Sequence, residues 1–419
     1  MMEKKELLER AIALAPKVRA ISDEVLCWHI QREDIVWPTW LALISGRPAF
    51  FLGPPGVDKT GAIQALAKRI DEAVFFDALM PTIVSVEQLL VESTSIEEVP
   101  TEDGGKLVRT RDQLGRAALA HLVFADEIWK SEPRVLQVLL DLAKGDGVRH
   151  EGRLVKTPLL AFLCASNELP DPEGNLGAIW SRMTIRVQVL PLDRAGKKAL
   201  VAARLQRYRQ AAAGEATSAA QLTLEEVGIL RRARPFVEVP EEIIEIVLDI
   251  LQELVDDQSA DFSWAWSDDR RFGRIFDIMQ ANALLAGRSV VSKTDLAVLE
   301  WLLWDIPEQI PVVKAKIAPY TRTPLTEARE LVDSLLAPGG TVQKVLDGDR
   351  SKGVQALTQC ESAEEELKRL KGQAEDEAMA SEIAHLIAQV QAIKEDVIAV
   401  ITTGQRRKRP EGGEGDAKT

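Results

Sequence analysis

The chain has 419 residues, 46% of them hydrophobic, 28% charged and 5% aromatic, enough apolar content for two or three packed domains and too much for a disordered, collagen-like or low-complexity protein. Lysine and arginine total 52 against 65 aspartate and glutamate, a formal net charge of −13, which argues against a broad nonspecific nucleic-acid-binding face. Cys27, Cys164 and Cys360 stand far apart without C-x-x-C spacing, so neither a disulfide framework nor a zinc module is expected and a reducing compartment fits best.

The opening MMEKKELLERAIALAPKVRA interleaves charges throughout and lacks the apolar core and cleavage site of a signal peptide. With no apolar run near the roughly 20 residues of a spanning helix, the expected location is the cytoplasm. Leu7, Leu8, Ile12, Leu14, Val18 and Ile21 lie at helical spacing, predicting an N-terminal helical segment over 1–45. From Arg47 the run RPAFFLGPPGVDKTGAIQALAKRI changes period to strand, Gly/Pro turn and amphipathic helix, the last with Ile63, Leu66, Ala67 and Ile70 on one face. Apolar segments 120–125 and 159–165 have the character of strands buried on both faces of a parallel sheet, and a helical pattern covers 134–143. This alternation predicts an α/β domain over 46–194.

Beyond it strands are expected to give out. Helical patterns at 195–212, 223–233, 241–256, 269–285 and 293–303 predict an all-α domain over 195–310, followed by a helical extension over 311–402 broken at Pro338-Gly339-Gly340. In that extension Ile383, Leu386, Val390, Ile393, Val397 and Val400 recur three and four apart. The run is short for a coiled coil, which favours a helix packed on its own chain over an intermolecular one. Residues 403–419, TGQRRKRPEGGEGDAKT with the Arg406 to Arg409 cluster near its start, are expected to form a solvated, disordered tail.

Gly53-Pro54-Pro55-Gly56-Val57-Asp58-Lys59-Thr60 stands between a predicted strand and a predicted helix, where backbone N–H groups at a helix N-terminus wrap a polyphosphate. Lys59 is placed to contact the β- and γ-phosphates and the Thr60 hydroxyl to coordinate Mg²⁺, so a nucleoside polyphosphate with Mg²⁺ is the expected ligand. Asp58 occupies a position that is glycine in G-x-x-x-x-G-K-[ST]. Facing the nucleotide, its carboxylate costs about 1–4 kcal/mol; turned outward, it sits in a first helical turn where an acid is welcome. Both orientations are open at this stage.

The segment HLVFADE delivers two adjacent carboxylates from the end of an apolar strand: Asp126 for the Mg²⁺ shell and Glu127 to polarise an attacking water. A third strand ends in CASNELP, which offers the Asn167 amide to the γ-phosphate or to that water. Arg182 and Arg186, in IWSRMTIR, lie near the edge of the α/β domain; an isolated arginine there is usually solvated, and a role in neutralising charge on the γ-phosphate of an adjoining subunit comes only with a family resemblance.

With FLGPPGVDKT, FADEIWK, ASNELP, IWSRMTIRV, SDDRRF, AGRSVV and LLWDIPEQI in order, the chain resembles the MoxR family of AAA+ ATPases, most closely the RavA branch, over residues 31–317. The resemblance implies an AAA+ P-loop core, an αβα sandwich with a parallel sheet, followed by an all-α lid. It implies a nucleotide site at a subunit boundary in a ring, most often a hexamer. Lys59 and Thr60 then match the Walker A residues, Asp126 the Mg²⁺-associated acid, Glu127 the catalytic acid, Asn167 sensor 1, Arg182 the arginine finger and Arg186 an accessory sensor. Arg270 matches sensor 2, reaching the phosphates from the lid, with Arg271 as its substitute.

The same kinship implies a von Willebrand factor A domain partner and a role in remodelling or maturing protein complexes. RavA-like proteins continue into a discontinuous helical module and a β-rich domain, which the helices and tail here do not match, so partner contact through that domain is not carried over. Residues 81–118 resemble the family's insert facing the ring pore. Two readings follow: an ATPase whose slow basal turnover needs assembly, and a nucleotide-gated scaffold in which Asp58 weakens hydrolysis. A nucleic-acid motor fits less well, because no basic hairpin is evident.

Overall fold

The computed structural model describes residues 4–100, 106–145, 147–150, 152–170, 176–213, 220–337, 339–374 and 377–403; the Arg406 to Arg409 cluster lies outside them. The described strands are β1 (Ala49–Leu52), β2 (Ile70–Asp71), β3 (Phe75–Leu79), β4 (Val91–Pro100), β5 (Lys106–Leu114), β6 (Leu122–Asp126), β7 (Val148–His150), β8 (Arg153–Val155), β9 (Ala161–Ser166), β10 (Ile185–Gln188) and β11 (Leu222–Thr223). Five of them form a parallel sheet in the order β10-β1-β9-β6-β3. β1 and β9 are buried along their whole length and β6 up to Asp126, as their continuous apolar runs require of strands covered on both faces. Register aligns Leu52 with Ser166 and Asp126 with Ala165, so the loops after β1, β6 and β9 leave one edge of the sheet together.

Helices α1 (Lys4–Ile12), α2 (Ala15–Leu26) and α3 (Glu33–Ser45) do not stand apart. Val18, Ile21, Trp40, Leu41 and Leu43 belong to the same apolar core as the sheet, and α3, apolar on nearly every side, is correspondingly buried. Residues Ile63 of α4 (Lys59–Ala67), Leu90 of α5 (Val86–Leu90), Val135 of α6 (Pro133–Lys144) and Ile179 of α7 (Gly177–Trp180) join the same core. Then come α8 (Arg194–Ala213), α9 (Leu224–Ala233), α10 (Glu241–Asp256), α11 (Asp269–Leu285) and α12 (Ile310–Thr321).

Strands do not give out after the α/β region: β11 pairs in parallel with β2, a two-residue element too short to leave a periodic signal. Residues Lys293–Trp301, expected as α-helix, run as 3₁₀ turns. Their start is pinned by a Ser292–Asp295 capping box whose fully buried carboxylate is also held by Arg288 and Asn282. Antiparallel hairpins β4–β5 and β7–β8 fill stretches that the sequence left unassigned, and His150 of β7 lies 3.0 Å from Asp112 of β5.

The described residues from Thr321 to Thr403 form a second compact unit, containing α13 (Pro324–Leu335), α14 (Thr341–Leu346), α15 (Gly353–Lys371) and α16 (Glu377–Thr403). The spaced residues Ile383, Val390, Ile393, Val397 and Val400 of α16 are buried with Cys360, Leu367 and Leu370 of α15 in a core of their own.

Candidate nucleotide site

The phosphate loop begins where β1 ends. Gly53 donates its N–H to the Ser166 carbonyl at 3.1 Å, and a Cβ at Gly53 would meet the Val189 carbonyl oxygen at 2.5 Å, so a side chain there would push the strands apart. Gly56 takes φ +82° and Asp58 φ +68°, the left-handed bends that turn the loop into α4. Lys59 opens α4 with its ammonium donating to the Gly53 and Pro54 carbonyls at 2.7 and 3.0 Å. Burial lowers its pKa from the ordinary lysine value, against the opposing pull of Asp126 and Glu127.

The paired acids face this loop from the end of β6. Thr60 Oγ1 lies 3.4 Å from Asp126 Oδ2, and Asp126 Oδ1 accepts the Glu127 N–H at 3.0 Å. Glu127 takes a left-handed φ of +55°, a bend unusual for a non-glycine residue and a form of strain that recurs at functional sites. Its Oε2 is 3.0 Å from Lys130 Nζ and 3.5 Å from Ser166 Oγ. Asn167 follows β9 directly and is exposed.

The Asp58 carboxylate folds back over α4, into the space that the missing side chain of Gly61 leaves, and its Oδ2 lies 2.7 Å from His29 Nδ1. His29 belongs to the turn after α2, which lines a cavity of about 540 Å³ with Trp28, Gly56, Val57, Leu200 and Arg207. This cavity opens beside the phosphate loop between the N-terminal helices and α8, a place and size suited to a nucleoside.

The arginines divide. Arg186 is 2% exposed. It donates to the carbonyls of Met183 at 2.8 Å and Trp180 at 2.9 Å, to that of Trp304 at 2.5 Å, and to the Asp305 carboxylate. Arg271 is 4% exposed, with its guanidinium 3.4 Å from the Trp264 ring centroid and hydrogen bonds to Leu302, Trp304 and Asp305. Burial pushes the Asp305 carboxyl upward, but Arg186 and Arg271 outweigh it and hold it below the ordinary aspartate value. Arg270 is exposed. Arg274 donates to the Ser181 carbonyl at 3.4 Å, and its pKa falls through burial first, then the positive charges of Arg47, Arg270 and Arg182 around it.

A family model described as the MoxR domain of MoxR-vWA-beta-propeller ternary systems matches residues 16–230, just over half of the chain, and an AAA lid domain matches residues 242–317. The chain belongs to the MoxR family of AAA+ ATPases. It is similar to uncharacterized protein MJ0079 of Methanocaldococcus jannaschii, 26% identical over 73% of this chain and 74% of that one. It is also similar to uncharacterized protein MJ0812 of the same organism, 25% identical over 75% and 80%. In fold it matches the crystal structure of a "putative ATPase" from Cytophaga hutchinsonii, with a TM-score of 0.54 at 14% identity, covering 76% of this chain and 98% of that one.

In this MoxR chain the loop residues 53–60 and the acids Asp126 and Glu127 come together, with Asn167 emerging beside them. Helix α11 meets the turn before Arg182 where Arg274 donates to the Ser181 carbonyl. The structure does not bring Arg186 to the loop and the acids: its hydrogen bonds go to carbonyls and to Asp305 inside the protein, tying β10 to the 301–305 segment. Arg271 is likewise engaged with Leu302, Trp304 and Asp305. Sequence reading missed His29, Lys130, Ser166 and Arg274. Only Lys130, three residues after Glu127, offered a local signal.

Proposed function

We propose that the chain hydrolyses ATP to ADP and phosphate, with Mg²⁺, at sites shared between copies of itself in a ring, most simply a hexamer, and uses the cycle to remodel or mature protein complexes. The observation that carries this reading is the 3.4 Å approach of Thr60 Oγ1 to Asp126 Oδ2 beside the Lys59 ammonium. These two oxygens would hold Mg²⁺, which when bound neutralises charge on phosphate oxygens. Lys59 exchanges its loop carbonyls for phosphate oxygens. Glu127 orients the attacking water and accepts its proton, and Asn167 hydrogen-bonds the water or the γ-phosphate. Arg182 acts as the arginine finger on the nucleotide of a neighbouring copy, and Arg270, exposed at the start of α11, reaches the phosphates from the lid as sensor 2.

The outward Asp58 side chain favours turnover over the nucleotide-gated scaffold, since the carboxylate is not aimed across the phosphate loop. The family description supports a von Willebrand factor A domain protein as partner, with a β-propeller protein as a third component. We assign a cytoplasmic location as an expectation of the sequence; among the described residues no helix is long and apolar enough to cross a membrane.

Phosphate release measured for wild type and Glu127→Gln, alongside particle imaging with and without ATP, tests the core of this reading. ATP-dependent rings and a rate lost in the variant are expected. A chain that stays single and releases no phosphate at any Mg²⁺ concentration sinks it. Stoichiometric co-elution with a co-expressed von Willebrand factor A domain protein tests the partner.

A further inference from the structure

We propose that Lys130 is a positioning residue that holds the Glu127 carboxylate out of use until the turn carrying Arg182 moves. The proposal rests on the ATPase reading above. Glu127 Oε2, the oxygen that would take a proton from water, is 3.0 Å from Lys130 Nζ and 3.5 Å from Ser166 Oγ. A carboxylate oxygen held by an ammonium of its own turn is poorly aimed at a phosphate.

Lys130 has a second acid to turn to. Glu168 Oε1 lies 3.9 Å from the same ammonium, so the lysine leaves Glu127 without losing an ionic partner. The Lys130 and Glu168 side chains are 45% and 56% exposed, and ion pairs at such sites are weak enough to be exchanged in every cycle.

The trigger is built into the packing. The turn Ile128–Lys130 carries Trp129, whose ring centroid lies 5.4 Å from that of Phe50 and 6.1 Å from that of Trp180. Trp180 closes α7, two residues ahead of Arg182. The turn that positions Glu127 and the turn that presents Arg182 therefore share one aromatic contact, and close-packed rings shift between discrete arrangements rather than deforming smoothly. When Arg182 engages the nucleotide of the next copy, Trp180 and Trp129 move with it, Lys130 passes to Glu168, and Glu127 becomes available. Each chain's acid is thereby released by the engagement of its own arginine next door.

The test uses the full chain with Lys130→Ala, Lys130→Arg and Glu168→Gln. Lys130→Ala is expected to raise kcat for phosphate release about 5-fold with KM for ATP within about 2-fold, Lys130→Arg to restore the wild-type rate, and Glu168→Gln to lower kcat several-fold. In nucleotide-free protein, amide hydrogen exchange over 127–130 should quicken in Lys130→Ala and return to the wild-type rate in Lys130→Arg. An unchanged or lower kcat in Lys130→Ala overturns the proposal, even if exchange quickens, because the lysine then only braces its turn. Should wild type release no phosphate at all, the ATPase reading fails and takes the latch with it, whereas a wild type that turns over beside a Lys130→Ala variant no faster than it overturns the latch alone.

Discussion

His29 Nδ1 and Asp58 Oδ2 are 2.7 Å apart, so the residue that departs from the glycine of the phosphate-loop pattern is spent on the wall of the adjoining cavity. Two features make this geometry available: Asp58 adopts φ +68°, and Gly61 leaves the space its carboxylate fills. Asp58→Gly is therefore expected to leave ADP affinity and phosphate release within about 3-fold of wild type. His29→Ala releases the carboxylate toward the phosphates and should weaken ADP binding about 10-fold, or ~1.4 kcal/mol. Asp58→Gly in that background should restore binding, a non-additivity readable by fluorescent ADP titration of the four proteins.

Binding and chemistry should separate between Lys59 and Glu127. Lys59→Ala removes the buried ammonium beside the loop carbonyls and should weaken nucleotide binding by more than about 10-fold, while Glu127→Gln should keep affinity within about 2-fold and lower turnover by roughly 10² or more. Equilibrium titration together with phosphate release distinguishes these outcomes.

Arg182→Ala should leave nucleotide binding intact and lower turnover of the assembled protein by about 10³. If sites are shared, mixing Arg182→Ala with Glu127→Gln subunits recovers activity, because some interfaces then combine an intact Glu127 with an intact Arg182. A mixture no more active than its components rules out the shared site.

Asp305 accepts from both Arg186 and Arg271. Asp305→Ala leaves two buried guanidiniums without their acid and should cost about 3 kcal/mol in urea unfolding. Because its folded pKa lies below the ordinary value, the contribution is complete above pH of about 4 and fades as pH falls through the folded value. The variant's acid-unfolding profile should be correspondingly flatter at the low end.

Asp34 behaves in the opposite sense. Burial, the leading cause, pushes its carboxyl up to about 6, and its Oδ1 is buried without a hydrogen-bond partner among the described residues. A raised folded pKa gives stability that is full below the unfolded value and is lost as pH rises through 6. The shift corresponds to at most about 3 kcal/mol, and with the side chain 31% exposed solvent reduces this to about 1–2 kcal/mol. Asp34→Asn should raise the urea midpoint at pH 7 and flatten its change between pH 4 and 7.

The strands β1, β6 and β9 were legible in the sequence because a strand covered on both faces must be apolar throughout, and the phosphate loop was legible because Gly53, Gly56, Lys59 and Thr60 answer to local backbone and phosphate chemistry. The two-residue strands β2 and β11 lacked the length to show a period. Arg182 and Arg186 looked equivalent four residues apart; only the sheet decides that the second lies buried in β10, in register with Phe50, and must spend its hydrogen bonds inside. The direction of Asp58 depended on His29, and the fate of Arg186 on Asp305. Local sequence thus determined which segments bury themselves and where a triphosphate loop can form. Tertiary structure decided which polar groups face that loop, because a side chain's partner is chosen by neighbours that the chain brings back from far away.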